Sequence, residues 1–202
     1  YPQSPRIDEC YKYLVNVFLS TKNYKEAMKS IESMKLVNEE MRMAYQKLAF
    51  LYGLQLHSNS QFQDAIMYLN RSLRYQQNRN YTALANYWKG EGYYILADRE
   101  GITFGYDSAM VCYKNFLNYP GAINYPEYYP AHYNLGYVYF KKQDYVQSNI
   151  WFRKYLTLKS TEPREKLNDA YLRVGDGFFM TKDYANAVDY YDQALKMGNR
   201  DM

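Results

Sequence analysis

The stretch that decides the fold is Tyr171-Leu172-Arg173-Val174-Gly175-Asp176-Gly177-Phe178, followed six residues on by Tyr184-Ala185-Asn186-Ala187-Val188-Asp189-Tyr190-Tyr191. In each half the large and small residues recur at spacings of three and four, which is one face of a helix. The second half has four further copies: Tyr24-Lys25-Glu26-Ala27, Phe62-Gln63-Asp64-Ala65, Tyr106-Asp107-Ser108-Ala109 and Tyr145-Val146-Gln147-Ser148. Their small residues lie 38, 44, 39 and 39 apart. A large residue follows each by four positions: Ile31, Leu69, Tyr113, Phe152 and Tyr191. Self-similarity at this period marks a solenoid of helix pairs, in which each unit packs on its neighbours.

The first halves agree. Tyr11-x-x-Leu14-Val15-x-x-Phe18, Tyr45-x-x-Leu48-Ala49-x-x-Tyr52 and His132-x-x-Leu135-Gly136-x-x-Tyr139 share the pattern, and Gly90 fills the small position in Tyr87–Tyr94. A small residue lets the neighbouring helix approach closely, and a large one a turn away fills the adjoining groove. Gly136 is therefore expected to meet Ser148, and Gly175 to meet Ala187.

These motifs resemble the tetratricopeptide repeat, over about residues 8–199. The resemblance implies an all-α, right-handed α-solenoid of about five hairpins, forming one repeat domain over 1–202 with repeats at about 8–37, 38–77, 79–118, 129–162 and 164–199. Helix pairs are expected at 8–20 and 24–36, 39–57 and 61–75, 79–98 and 107–118, 129–141 and 145–159, and 164–181 and 184–197. Asp98–Gly105 reads as an insertion turned by Gly101 and Gly105. Tyr119–Tyr128, with Pro120 and Pro126, reads as a non-helical linker. Tyr1-Pro2 matches Tyr119-Pro120 at the close of a repeat, so the chain is expected to be a piece of a longer bacterial array. The Tyr-Pro ending resembles envelope proteins of Gram-negative bacteria, which implies the periplasm or cell envelope.

Composition narrows the function. Twenty-seven of 202 residues are Tyr, and 25 basic residues face 21 acidic ones for a net charge of +4. That balance, with Lys141-Lys142 as the longest basic cluster, argues against a nucleic-acid partner. No apolar run approaches the ~18 residues that would span a bilayer. Cys10 and Cys112 lie on different units and read as buried free thiols. His57 and His132 lack a second ligand at metal spacing. Gly90-Glu91-Gly92 lacks the strand and third glycine of a phosphate loop. Asp98, Glu100 and Asp107 lie in an exposed turn, where paired acids gain no opposed environments. The expectation is a non-enzyme with no cofactor, metal or catalytic residue.

The resemblance implies that first helices line a concave groove. Its positions include Lys12, Asn16, Gln46, Phe50, Tyr87, Glu91, Tyr94, Tyr133, Tyr137, Phe140, Leu172, Asp176 and Phe179. Some relatives grip a carboxylate through Lys and Asn there, but Lys47, Leu84 and Trp88 stand at the continuing sites. What remains is an aromatic groove formed by Tyr87, Glu91, Tyr94, Tyr133, Tyr137, Phe140, Asp176 and Phe179, suited to a partner's extended peptide or helix. The alternative is a glycan-binding protein of outer-membrane nutrient uptake that stacks sugars on aromatics.

Overall fold

A computed structural model describes residues 6–34, 37–101, 103–158 and 163–198. The described residues form ten α-helices and no strand, so the all-α expectation holds. They pack as two compact units, residues 1–100 and 101–202. The first holds α1 (Ile7–Ser20), α2 (Tyr24–Glu32), α3 (Glu39–Ser58), α4 (Phe62–Ser72) and α5 (Arg79–Glu100). The second holds α6 (Thr103–Leu117), α7 (Tyr128–Lys141), α8 (Tyr145–Thr157), α9 (Arg164–Met180) and α10 (Tyr184–Gly198).

Four tight turns join first helices to second helices, and all use one device. Lys22, Ser60, Gln143 and Lys182 adopt φ of 57°, 61°, 61° and 64°. The next N–H then reaches back to a carbonyl five residues earlier: Asn23 to Phe18 (2.9 Å), Gln61 to Leu56 (2.9 Å), Asp144 to Tyr139 (3.0 Å) and Asp183 to Phe178 (2.9 Å). This is the left-handed cap that satisfies helix-end carbonyls. None of the four residues is glycine, so each turn accepts a steric cost that its hydrogen bonds offset. Asn38 and Asp144 accept from the N–H groups of Met41 (2.9 Å) and Gln147 (3.1 Å), capping α3 and α8.

The small-against-large rule holds in detail. A Cβ on Gly136 would stand 2.7 Å from the Phe152 ring, and one on Gly175 would stand 2.5 Å from the Tyr191 ring. Ser148 meets Gly136 as expected, its hydroxyl donating to the Gly136 carbonyl at 3.0 Å. In the second pair the register differs by one turn. Gly53 rather than Ala49 takes the Gly136 position, because a Cβ on Gly53 would meet Leu69 at 2.8 Å. Both residues are small and share a face of α3, and the longer helix offers the contact one turn later.

The extra residues at Asp98–Gly105 do not form the expected turn but lengthen the helices on either side. Asp98–Glu100 complete α5, Thr103–Gly105 begin α6, and only Gly101, at φ 67°, is left-handed. The Tyr119–Tyr128 linker does leave the α-helix, turning through Gly121 (φ 85°) into a 3-10 turn at Ala122–Asn124. Cys10 is exposed rather than buried, whereas Cys112 is buried. No helix of the described residues is long and apolar enough to cross a membrane.

Candidate functional site

Four of the expected groove residues gather in the second unit. Tyr133 and Tyr137 stand one turn apart on α7, so their side chains share a face. Both hydroxyls donate to one oxygen of Asp169 on α9, at 2.7 and 2.5 Å. The other Asp169 oxygen accepts from Arg173 Nε at 3.3 Å. Arg173 also donates through Nη1 to Asp176 at 2.7 Å, and the second Asp176 oxygen accepts from the Tyr191 hydroxyl at 2.9 Å. The Arg173 guanidinium lies 5.6 Å from the Phe140 ring centroid. One continuous network thus ties α7, α9 and α10.

The rings are held as firmly as the hydroxyls. Tyr133 and Tyr137 meet edge-on at 5.1 Å, and both set their rings against buried Phe152, at 5.6 and 5.1 Å. Burial pushes both phenols above the usual tyrosine range, and the hydrogen bonds to Asp169 push them further. Burial first, and then the bond to Asp176, raises Tyr191 to about 12. These are neutral hydroxyls at physiological pH, locked to carboxylates. They are donors already spent, not acids or bases in waiting. What the arrangement offers is a stiff patch of half-exposed rings with a partly buried charged strut beneath it.

The remaining expected residues fall elsewhere. Tyr87, on α5 of the first unit, is buried with its ring 5.3 Å from Trp88. Glu91 and Tyr94 are half-buried on the same helix. Phe179 is 54% exposed and touches Tyr184 at 5.5 Å. Leu172 and Asn16 are exposed, and the Lys12 side chain lies outside the described residues. Gln46 and Phe50 are not groove residues, because both are buried. Gln46 is a bracket: its amide donates to the Asn78 carbonyl (3.1 Å) and Thr82 hydroxyl (3.0 Å), and its oxygen accepts from the Asn78 N–H (2.7 Å).

Asp169 and Arg173 do not stand out in the sequence. Asp169, Arg173 and Asp176 recur at spacings of four and three, so their shared face was legible, though not their partners. His132 is a buried core residue whose Nδ1 faces the Tyr128 carbonyl at 2.8 Å, and burial lowers it to about 4. His57 is wedged between Phe62 (5.0 Å) and Trp88 (5.1 Å). Among the described residues no cluster of three or more His, Cys, Asp or Glu could hold a metal ion.

Helix pairs closed by small-against-large contacts define a helical-repeat protein. A family model for the tetratricopeptide repeat matches residues 129–162, the α7–α8 hairpin. Solved structures share the fold at low identity. A MamA from Desulfovibrio magneticus RS-1 is 16% identical over 95% of each chain, with a TM-score of 0.58. A putative kinesin light chain with nearly identical TPR-like repeats, from Podosopora anserina, is 10% identical over 99% of each chain, with a TM-score of 0.57. BtubC from P. vanneervenii is 13% identical, covering 95% of this chain and 81% of its own, with a TM-score of 0.55. No curated protein matches the sequence. The α7–α8 hairpin thus matches the tetratricopeptide repeat, and the chain as a whole shares the fold of these helical-repeat structures.

Proposed function

We propose that the chain is a protein-interaction scaffold whose first helices bind an extended peptide or a helix of a partner protein, with no catalytic step. The observation that carries this reading is the Tyr133–Tyr137–Asp169–Arg173–Asp176 network. It holds half-exposed rings in fixed positions, so a ligand would meet aromatic area with little left to order. Phe140 and Phe179 extend the patch along α7 and α9, and half-buried Glu91 and Tyr94 lie on α5, where Tyr87 is buried and offers no ligand surface.

The experiment is selection from a displayed library of short peptides, followed by calorimetric titration of the winners. Phe179→Ala removes the most exposed expected ring and is expected to weaken binding by ~tenfold or more. The melting curve should stay in place, because Phe179 is outside the core. Peptides that bind equally well to Phe179→Ala and Phe140→Ala would place recognition elsewhere. Binding of oligosaccharides with no peptide selected would replace this reading with a glycan-stacking one.

A further inference from the structure

One face of α4, in the first unit, carries a cavity. Gln63, Ile66, Met67, Asn70, Arg71 and Arg74 line about 370 Å³ of open space. Their alternating spacings of three and one put all six on one side of α4 and of the turn that follows it. Ile66 and Met67 supply apolar surface, Gln63 and Asn70 supply amides, and the two arginines supply charge.

Arg71 is fixed in place without being satisfied. Its guanidinium lies 4.9 Å from the centroid of the Tyr68 ring, and Tyr68 is itself buried. Only 33% of the Arg71 side chain is exposed. Its ion-pair partner, Glu32 on α2, stands 3.8 Å away, which is beyond a hydrogen bond. That Glu32 oxygen already accepts from the Tyr45 hydroxyl at 2.6 Å. Among the described residues, the Arg71 guanidinium makes no hydrogen bond and Arg74 makes no ion pair. A guanidinium carries five donors in a planar fork that matches a carboxylate. At Arg71 those donors are partly desolvated, positioned by an aromatic ring and unspent.

The repeat itself does not call for this pair. The second helices share one register, in which Arg71 corresponds to Ser33, Asn115, Lys154 and Gln193. In none of those four helices are this position and the one three residues on both cationic. Helices of the same build therefore close without two arginines here.

We propose that this face of α4 binds an acidic side chain of a partner protein. The Arg71 fork takes the carboxylate, Arg74 adds attraction from the exposed rim, and an apolar neighbour of the acid rests on Met67. Phosphate is the less suited anion. Its sites draw on free backbone N–H groups, whereas the N–H groups of Leu73 and Arg74 bond back to Leu69 and Arg71. The site is independent of ligand binding at α7 and α9.

A displayed library of short random peptides, selected on the 202-residue chain and depleted on Arg71→Gln with Arg74→Gln, tests this. The double variant keeps the α7 and α9 residues, so depletion removes peptides that bind there. The survivors should be rich in aspartate and glutamate beside an apolar residue. By fluorescence anisotropy, their affinity should fall ~tenfold or more when those acids become amides, and again in Arg74→Glu. Arg71→Lys keeps the charge but loses the fork, and should also weaken binding. Rising salt should weaken it further. An absence of survivors, survivors without acidic bias, or equal affinity for Arg74→Glu overturns the proposal. Displacement by inorganic phosphate at micromolar concentration would also overturn it, by making this a phosphate site. Should loss of Arg71 from the Tyr68 ring lower the melting curve, selection against Arg74→Glu alone decides, because Arg74 is exposed and outside the core.

Discussion

Gly136→Ala separates packing from helix propensity, because the two effects oppose each other. Replacing an interior helical glycine by alanine stabilises by ~1 kcal/mol when nothing else changes. Here the new Cβ would stand 2.7 Å from two atoms of the Phe152 ring and 2.8 Å from a third. Ordinary carbon contacts lie at ~3.5–4.0 Å, so the ring or the helix must move by about 1 Å. Phe152 has no room to yield, since it is fully buried with Tyr133 and Tyr137 set edge-on against it. Overpacking of this kind costs ~1–3 kcal/mol, and the tight contact argues for the upper half of that range. The net expectation is a loss of ~1–2 kcal/mol, which corresponds to a fall in melting temperature of ~2–8 °C at this chain length. Circular dichroism at a helical wavelength, with urea unfolding alongside, measures it. Gly92→Ala is the milder comparison: its Cβ would stand 3.0 and 3.2 Å from Cγ1 and Cδ1 of the Ile66 side chain, which need give by only a few tenths of an ångström, so it should cost less than Gly136→Ala. Phe152→Leu should recover part of the Gly136→Ala loss, as coupled neighbours do. If Gly136→Ala melts higher than the wild type, α7 and α8 are not in the contact described.

Removing the acceptor at Asp169 with Asp169→Leu leaves two half-buried hydroxyls without their acceptor and deprives Arg173 of one of its two carboxylates. A loss of ~2–4 kcal/mol is expected by chemical denaturation, and an unchanged midpoint would show that the bonds are ornamental. The same logic makes Tyr133→Ala with Tyr137→Ala lower the melting temperature whether or not a ligand is bound. Gln46→Leu keeps the volume but strands the Asn78 N–H and the Thr82 hydroxyl, so urea unfolding should register ~1–3 kcal/mol of destabilisation. Burial holds His132 at about 4, below its usual 6.5, so the unfolded chain takes up a proton first as pH falls. Stability should therefore be flat above pH 6.5 and decline between 6.5 and about 4; His132→Phe should flatten that slope, and an unaltered slope would assign the decline to other groups.

Most of the fold was legible because its decisive contacts recur at fixed spacings. Gly136 could be paired with Ser148 from sequence, and the large residues Phe152 and Tyr191 that pack on Gly136 and Gly175 each follow the second helix's small residue by one turn. The failures have specific causes. Ala49 and Gly53 are both small, one turn apart on the same face, so spacing alone could not choose between them. Gly101 and Gly105 looked alike as turn formers, but only Gly101 takes a positive φ, and Gly105 continues α6. The capped turns at Lys22, Ser60, Gln143 and Lys182 announce themselves by no glycine. At the site, the face of Tyr133, Tyr137 and Phe140 was readable, but its chemistry was not. Asp169 lies 36 and 32 residues from the two tyrosines, and no local pattern reports that bond. Gln46 misled for the same reason, since its side-chain partners begin 32 residues away.

Tyrosine's predominance over phenylalanine, 27 against 9, follows from how helix pairs stack. A two-layer array is thin, so a large ring set between helices brings its far edge close to water. Phenylalanine would end there in an apolar edge with nothing to hold. Tyrosine ends in a donor, and the repeats supply acceptors on the neighbouring helix. The Tyr45 hydroxyl of α3 donates to Glu32 of α2 at 2.6 Å, Tyr133 and Tyr137 of α7 donate to Asp169 of α9, and Tyr191 of α10 donates to Asp176 of α9. Each ring fills space within the stack while its hydroxyl fixes the stack's register. The cost is that the partly exposed rings on α7 cannot be exchanged freely for the sake of a new ligand, because the same atoms hold α9 in place. On the proposed reading, affinity would be tuned through residues such as Phe179 and Leu172, which are exposed and carry no part of the network.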